Sequence, residues 1–218
     1  MSKKLFLFPF GGNAKESLLS LLAINALRQE WDILGFLDDD PAQQGKDYCG
    51  IKVLGGSEFF RKHADAFVLA VPGSPTSYLR RKSVIDSLAG DTSRFATVIH
   101  PSVVTAPDAV IGYNTLLMSN VVVSCSARVG NHCIVLPNTV IAHDSIVDDY
   151  CCIGSNVSIS GSVRVGPECY IGSGVKVREN VRIGTRSLIG LGANVITDIP
   201  EGIVAVGNPA KVMKKKAF

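Results

Sequence analysis

The sequence predicts an α/β unit followed by a parallel β-helix, and three observations carry this prediction. Residues 3–98 alternate apolar, strand-like runs with helical patterns, which is typical of a parallel sheet covered by helices. From Ile99 onward, every sixth residue is aliphatic at sixteen of seventeen positions, and no insertion interrupts this hexad frame. Glycine directly follows seven of these positions, as expected where short strands give way to tight corners.

Five apolar runs in the first unit predict strands: "KKLFLFPF", "WDILGFLDDD", "GIKVLGG", "AFVLAVPG" and "FATVIH". Three segments with apolar residues at helical spacing predict helices: "AKESLLSLLAINALRQ", "SEFFRKHADA" and "SPTSYLRRKSVIDSLAG". We expect Ser57 to cap the second helix and Pro75 to lie in the first turn of the third.

Ligands of parallel sheets bind beyond the carboxyl ends of the strands, and three loops lie there. The loop Gly11–Asn13 joins a strand to a helix and offers free backbone N–H groups to a phosphate. It lacks the GxGxxG spacing, so it favours a nucleotide diphosphate over a dinucleotide. Asp38 and Asp39 either accept hydrogen bonds from ribose or base groups or form a solvated loop. Gly73 ends the fourth strand-like run.

The hexad frame predicts a triangular prism in which three hexads close one coil and residues 18 apart stack. Cys133, Cys151 and Cys169 have this spacing, so we interpret them as interior packing rather than as a metal site. His143 and Asp144 fall at a corner of the frame, outside the packed interior. An imidazole there can act as a general base that the carboxylate orients, although a solvated turn is the alternative. We expect His132 to face outward as well.

Length and charge restrict the possible functions. The chain has 218 residues and a net charge of +3, which is too small to indicate a nucleic-acid partner. No apolar run approaches the roughly 20 residues of a membrane span, and the start shows no cleavable signal. We therefore expect a cytoplasmic protein with reduced cysteines. A basic tail, Lys211 and Lys214–Lys216, is either a solvated end or a contact for phosphates.

The hexads, the ending "GNPAKVMK", the junction "IHPS" and the segments "FGGNAKES" and "GFLDDD" resemble one family of enzymes. It is the sugar acetyltransferases that include the bacillosamine and perosamine N-acetyltransferases and the sialic acid O-acetyltransferases. The resemblance covers essentially the whole chain. It implies a left-handed β-helix and a homotrimer with active sites between neighbouring prisms. It also implies acetyl-CoA as donor and a nucleotide-linked amino sugar as acceptor.

The resemblance assigns roles to particular residues. The catalytic pair falls on His143 and Asp144. The sugar-nucleotide contacts fall on six residues: Gly11, Gly12, Asn13, Asp38, Asp39 and Gly73. The coenzyme contacts fall on three: Cys152, Ser173 and Leu191. Three positions depart from the family pattern, with Asn13 in place of a usual His, Leu136 in place of a frequent Asn, and Cys152 in place of a second His.

We therefore predict a Rossmann-like nucleotide-sugar-binding domain in residues 1–98 and a left-handed β-helix acetyltransferase domain with a tail in residues 99–218. The predicted activity is acetyl-CoA-dependent N-acetylation of a nucleotide-linked 4-amino-4,6-dideoxy sugar in bacterial surface-glycan biosynthesis, by direct transfer and without a metal. The alternatives are an O-acetyltransferase on sialic acid or a related sugar, and a non-catalytic trimeric binding module. A γ-type carbonic anhydrase would need three histidine ligands, and only His132 and His143 are suitably spaced.

Overall fold

The computed structural model describes residues 2–88 and 91–213, so Lys214–Lys216 of the basic tail lie outside the described residues. The predicted fold class is confirmed, because an α/β unit is followed by a stack of short parallel strands. Within the described ranges, no helix is both long and apolar enough to cross a membrane.

The first unit is a five-stranded sheet with helices packed against it. Its strands are β1 (Lys3–Phe8), β2 (Trp31–Leu37), β3 (Asp47–Tyr48), β4 (Ile51–Gly55) and β5 (Phe67–Ala70). Their order is β3-β4-β2-β1-β5, and all neighbours except β3 and β4 run parallel. Residues 5–8 of β1 are buried on both faces, which explains the continuous apolar run of this inner strand.

The helices of this unit are α1 (Gly12–Leu27), α2 (Ser57–Lys62) and α3 (Arg81–Asp86), with single 3-10 turns at Pro41–Gln43, Tyr78–Arg80 and Thr92–Arg94. Two helix starts differ from the prediction. Ser57 is the first residue of α2 rather than its cap, and its N–H donates to Asp39 Oδ1 at 2.6 Å. A carboxylate from a distant loop thus replaces the local cap. Pro75 lies in a turn before the helical residues begin at Tyr78.

The second part of the chain consists of two-residue strands that recur every six residues, followed by two closing strands. They are β6 (Val98–Ile99), β7 (Val104–Thr105), β8 (Val110–Ile111), β9 (Leu116–Leu117), β10 (Val122–Val123), β11 (Arg128–Val129), β12 (Ile134–Val135), β13 (Val140–Ile141), β14 (Ile146–Val147), β15 (Cys152–Ile153), β16 (Ser158–Ile159), β17 (Arg164–Val165), β18 (Tyr170–Ile171), β19 (Lys176–Val177), β20 (Arg182–Ile183), β21 (Leu188–Ile189), β22 (Asn194–Val195), β23 (Val204–Val206) and β24 (Lys211–Val212).

These strands form the three faces of a prism. The first face has the order β24-β23-β21-β18-β15-β12-β9-β6, the second β22-β19-β16-β13-β10-β7, and the third β20-β17-β14-β11-β8. Val122 pairs with Val140 and Val123 with Ile141, so one coil takes 18 residues, as predicted. Frame residues from Leu117 to Val195 line a continuous apolar interior.

Corners separate the faces, and each corner contains a residue in the left-handed backbone region. This residue recurs every sixth position from Asn114 to Gly192 with a positive φ. Asn and Asp tolerate this conformation better than most residues, which explains their frequency there. We name the corner between the first and second faces the first corner, that between the second and third faces the second corner, and that between the third and first faces the third corner.

The three stacked cysteines lie inside the prism, as the spacing predicted. Cys133, Cys151 and Cys169 are buried, and their thiols lie 3.3, 3.2 and 3.1 Å from the carbonyl oxygens of Asp148, Gly166 and Gly184. Hydroxyls at equivalent positions of the other two corners, such as those of Thr139 and Ser145, make the same contact at 2.8 Å. The thiols therefore pair corner carbonyls in the packed interior.

The α/β unit packs over the first face of the prism. One apolar cluster joins Leu7 and Leu69 of its sheet to Leu116, Ile134 and Cys152 of the first face. The loops that follow β1 and β5 are thereby brought next to the prism.

Candidate active site

The His143–Asp144 pair lies at the second corner, with its side chains 60% and 59% exposed. His143 Nδ1 is 2.8 Å from Asp144 Oδ2. In an extended strand neighbouring side chains point to opposite sides, so the corner, where Asp144 has a φ of 60°, allows them to meet. Because a carboxylate only accepts hydrogen bonds, a neutral His143 carries its proton on Nδ1 and leaves Nε2 free as an acceptor.

Gly161 lies one coil above His143, and its lack of a side chain leaves space for the imidazole. A Cβ atom on Gly161 would lie 2.5 Å from both Cε1 and Nε2 of His143. The coils on either side hold this corner, since Ser162 N–H donates to His143 O and Asp144 N–H to Cys125 O. The N–H of Gly161 has no backbone acceptor among the described residues, so it is available to a ligand.

The predicted Gly11–Asn13 loop is the start of α1, with Gly11 as the N-cap and Gly12 exposed to solvent. Neither Gly11 nor Gly12 has another atom within 4 Å of the position that a Cβ would take, apart from its chain neighbours. The first N–H groups of a helix have no partner within it, so this end of α1 can bind an anion. Asn13 differs, because its Nδ2 donates to the carbonyl oxygens of Val71 and Gly73, both at 3.1 Å.

Asp38 and Asp39 hold the neighbouring loops. Asp38 Oδ2 accepts from Phe10 N–H at 2.9 Å, and Asp38 Oδ1 accepts from Asp40 N–H at 2.9 Å. Asp39 Oδ1 accepts from Ser57 N–H. Both carboxylates thus accept hydrogen bonds from backbone N–H groups of the α/β unit. Their position in the sequence, directly after β2, did not predict these partners.

The predicted coenzyme residues fall into two places. Ser173 and Leu191 lie at the first corner on consecutive coils, where Gly192 N–H donates to Ser173 O at 2.8 Å and Leu191 is 84% exposed. Cys152 is instead buried on the first face, and its Sγ is 2.9 Å from the position that a Cβ on Gly73 would take. The structure therefore brings Cys152 to the predicted sugar-nucleotide residues.

Asn13, Gly73 and Cys152 line one small cavity between the α/β unit and the first face. Leu136 lines it too, so all three positions that depart from the family pattern meet there. His143 lies at the second corner and is not part of this cavity. Within one chain, the predicted base and the predicted acceptor loops are thus on different sides of the prism.

His132 does not face outward as predicted, because the α/β unit covers it. Its side chain is 3% exposed and stacks on Tyr150 with ring centroids 4.6 Å apart. Asn114 Oδ1 accepts from Ala70 N–H, so Asn114 Nδ2 is the donor to His132 Nδ1 at 2.8 Å. Burial, with a further contribution from the Arg81 cation, lowers the pKa of His132 to about 4.

Arg81 is a residue that sequence reasoning missed. It is 1% exposed, and its Nε donates to His132 O at 3.2 Å while Nη1 donates to Pro72 O. Among the described residues it pairs with no carboxylate. It thereby ties the loop after β5 to the third corner. No local pattern marks this arginine, because its partners lie in another loop and in the prism.

The described ranges contain no group of three or more His, Cys, Asp or Glu residues placed to hold a metal ion.

Comparisons with known proteins extend over the whole chain. The family model of the GMPPB C-terminal domain matches residues 95–191, which belong mostly to the prism. No curated protein matches the sequence. Among solved structures, the acetyltransferase domain of PglB from Neisseria gonorrhoeae is 26% identical with a TM-score of 0.85, covering 97% of this chain and 100% of that domain. The same domain has also been solved in complex with acetyl coenzyme A.

PerB from Caulobacter crescentus, solved in complex with CoA and GDP-perosamine, is 25% identical with a TM-score of 0.81, and 98% of each chain is covered. WeeI from Acinetobacter baumannii, at 21% identity and a TM-score of 0.76, shares the fold. These structures confirm the predicted left-handed β-helix and the resemblance to sugar acetyltransferases with hexapeptide repeats. The predicted class, a CoA-dependent acyltransferase, is confirmed as well.

Proposed function

We propose that this chain is an acetyl-CoA-dependent N-acetyltransferase that acts on a nucleotide-linked amino sugar. The acceptor we propose is of the 4-amino-4,6-dideoxy type, and the pathway is bacterial surface-glycan biosynthesis in the cytoplasm. One observation carries the proposal: an exposed imidazole, held through Nδ1 by a carboxylate, sits at a prism corner in a chain that matches PerB from end to end.

The proposed reaction is a direct transfer. The amine of the acceptor attacks the thioester carbonyl, the N–C bond forms, and the C–S bond breaks to release the CoA thiolate. His143 Nε2 takes the proton that leaves the amine and can pass it to the thiolate. Asp144 keeps the imidazole in the tautomer that exposes Nε2, as the carboxylate of a triad does. The free N–H of Gly161 is the oxyanion donor that we propose.

The substrate contacts we propose are those that the resemblance implied. Gly11, Gly12 and Asn13 at the start of α1 suit the diphosphate, with Asp38, Asp39 and Gly73 around them. Ser173 and Leu191 suit an extended pantetheine arm, because they stack at one corner and are exposed. We propose further that the protein is a homotrimer, in which a neighbouring prism brings His143 to the acceptor loops.

Acetyl-CoA consumption against a panel of UDP-, GDP- and dTDP-linked amino sugars tests this function. We expect turnover with one of them, and His143→Ala should lower kcat/KM about 100- to 10,000-fold, the usual contribution of a general base. Asp144→Asn should lower it less, because Nε2 remains. His100→Ala is the matched control, since this partly exposed histidine lies at the junction of the two parts.

Three results would contradict the proposal. Near wild-type turnover by His143→Ala would remove the base assignment. Turnover with hydroxyl acceptors alone would favour the O-acetyltransferase, and binding of nucleotide sugars without turnover would favour a binding module.

A further inference from the structure

The cavity between the α/β unit and the prism is small and closed on most sides. It has a volume of about 30 Å³. A single water needs about 10–15 Å³ in such a cavity, so it holds a group of only one or two carbon atoms. Its lining consists of eight residues: Asn13, Gly73, Ile134, Leu136, Cys152, Ile153, Gly154 and Tyr170.

The side chains around this cavity are mainly apolar and uncharged. Ile134, Leu136 and Tyr170 contribute aliphatic and aromatic surface, and burial keeps the Cys152 thiol neutral by raising its pKa. The amide nitrogen of Asn13 already donates to Val71 O and Gly73 O. A cationic group entering this space would lose its hydration without finding a countercharge among the lining side chains, whereas an aliphatic group would gain from leaving water.

The walls are also held in place, which makes the cavity a selective one. Asn13 and Arg81 pin the loop after β5 from two sides, through Val71, Gly73 and Pro72. Gly73 has a φ of 141°, and a Cβ there would lie 2.9 Å from Cys152 Sγ. Neither the loop nor the prism can therefore yield easily to a larger ligand.

The cavity lies between the two groups of proposed substrate contacts. Asn13 and Gly73 belong to the acceptor side. On the other side, a Cβ on Gly154 would lie 2.4 Å from the backbone nitrogen of Ser173, which belongs to the coenzyme side. A group in the cavity is thus within reach of both proposed substrates.

We propose that this cavity is a size-selective subsite for one short aliphatic group, with Leu136 as the residue that sets its size. The inference rests on the proposed acyl transfer. Such a group can come from the acyl chain of the CoA thioester or from the methyl group of a 6-deoxy sugar. Leu136 thereby decides which acyl donor or which sugar reacts, and it acts through its volume rather than through a hydrogen bond.

The test compares the wild type with Leu136→Ala on acetyl-, propionyl- and butyryl-CoA, and on 6-deoxy against 6-hydroxy acceptors. If the acyl chain occupies the cavity, the propionyl-to-acetyl ratio of kcat/KM rises about 10-fold or more in the variant, as one methylene allows. If the sugar methyl occupies it, the 6-hydroxy-to-6-deoxy ratio rises instead. Leu136→Val should change the same ratio less, and it replaces Leu136→Ala in the test if the alanine variant does not fold.

Leu188→Ala is the matched control, because Leu188 faces outward from the same prism face and does not line the cavity. Ratios in Leu136→Ala and Leu136→Val equal to those in Leu188→Ala would overturn the inference. If the wild type turns over no substrate pair, the proposed function fails instead. The increase in melting temperature on adding acetyl-CoA or propionyl-CoA is then measured for the wild type and for Leu136→Ala. If the two proteins show the same shifts with both thioesters, the subsite inference is overturned.

Discussion

Two histidines of the prism have opposite surroundings although both stand at corners. His143 is the second of the four residues of the second corner, 142–145, where its side chain is 60% exposed and Gly161 leaves room for its imidazole. His132 is the third of the four residues of the third corner, 130–133, where the α/β unit covers it. The first therefore has a free nitrogen facing solvent, and the second has its Nδ1 engaged by a fixed donor, Asn114.

The contact between Gly161 and His143 leads to a prediction at the residue scale. In Gly161→Ala, the new Cβ would lie 2.5 Å from Cε1 and Nε2 unless the imidazole moves. Because a displacement of about 1 Å can lower a rate about 100-fold, we expect kcat/KM to fall by that order with a small change in melting temperature. Steady-state kinetics and thermal unfolding measure the two effects.

Cys125→Ala is the control for this variant, because Cys125 occupies the same corner one coil below His143 and is exposed. We expect wild-type kinetics from it. A Gly161→Ala protein with unchanged kcat/KM, or one whose loss of activity follows its loss of folded protein, would contradict the positioning role of Gly161.

At the scale of elements, the third corner joins α3 and the sheet of the α/β unit to the prism through buried polar groups. Arg81 donates to His132 O, and Asn114 bonds both Ala70 and His132. Tyr150 stacks on His132 and donates to Asp86 at 2.7 Å. Removing one member leaves a buried partner unpaired, so this interface is more sensitive to single changes than an apolar one.

This interface predicts a pH dependence of stability. The pKa of folded His132 is about 4, below the 6.5 of an unperturbed histidine, so the unfolded chain binds more protons between these values. The contribution of His132 is complete above pH 6.5 and is lost as the pH falls toward 4. The full loss is about 3 kcal/mol, and protonation would also face Nδ1–H against the Asn114 amide donor. Urea unfolding across this pH range measures it.

His132→Asn keeps an acceptor near Asn114 and suits the positive φ of this position, so it should fold without this part of the pH dependence. His100→Asn should retain the wild-type curve. Parallel stability curves for the wild type and His132→Asn would show that the burial of His132 does not control this behaviour.

On the scale of the whole molecule, the proposed base and the proposed acceptor loops lie on different sides of one prism. His143 belongs to the second corner, whereas Asn13 and Gly73 lie against the first face. In the proposed reaction, neither His143 nor the acceptor loops can act without the other. This arrangement supports a trimer in which each site takes His143 from one chain and its acceptor loops from the next.

Mixed oligomers test this arrangement. His143→Ala lacks the base, and Gly12→Leu should block the acceptor loop without disturbing the fold, because no atom lies within 4 Å of a Cβ there. Each variant alone should be inactive. Co-refolded in equal amounts, they should regain about a quarter of wild-type activity, because random neighbours restore both halves at that fraction of sites.

If oligomers shown to contain both variants remain inactive, the base and the acceptor loops of each site belong to the same subunit. A mixture of His143→Ala with His143→Ala/Gly12→Leu serves as the control and should regain no activity.

The prism could be predicted almost completely from the sequence, because each coil contacts mainly its neighbours and repeats the same six-residue rule. The rule also predicted that His143 lies at a corner. The cover over His132, the role of Arg81 and the cap that Asp39 supplies to α2 could not be predicted. They depend on contacts between distant segments, such as that of Arg81 with His132, which lie 51 residues apart. The roles of the site residues remain predictions.

The uninterrupted 18-residue coil also makes the prism a ruler. Each coil adds a rise of about 4.8 Å, so distances along the axis between contacts at one corner come only in whole multiples of that step. Adding one complete coil between Ser173 and Leu191 would lengthen the distance between them by one such step and leave every side chain facing its original way. A change of one residue would turn the interior of the following coils outward. The number of coils therefore sets the length that a ligand bound along the first corner can span.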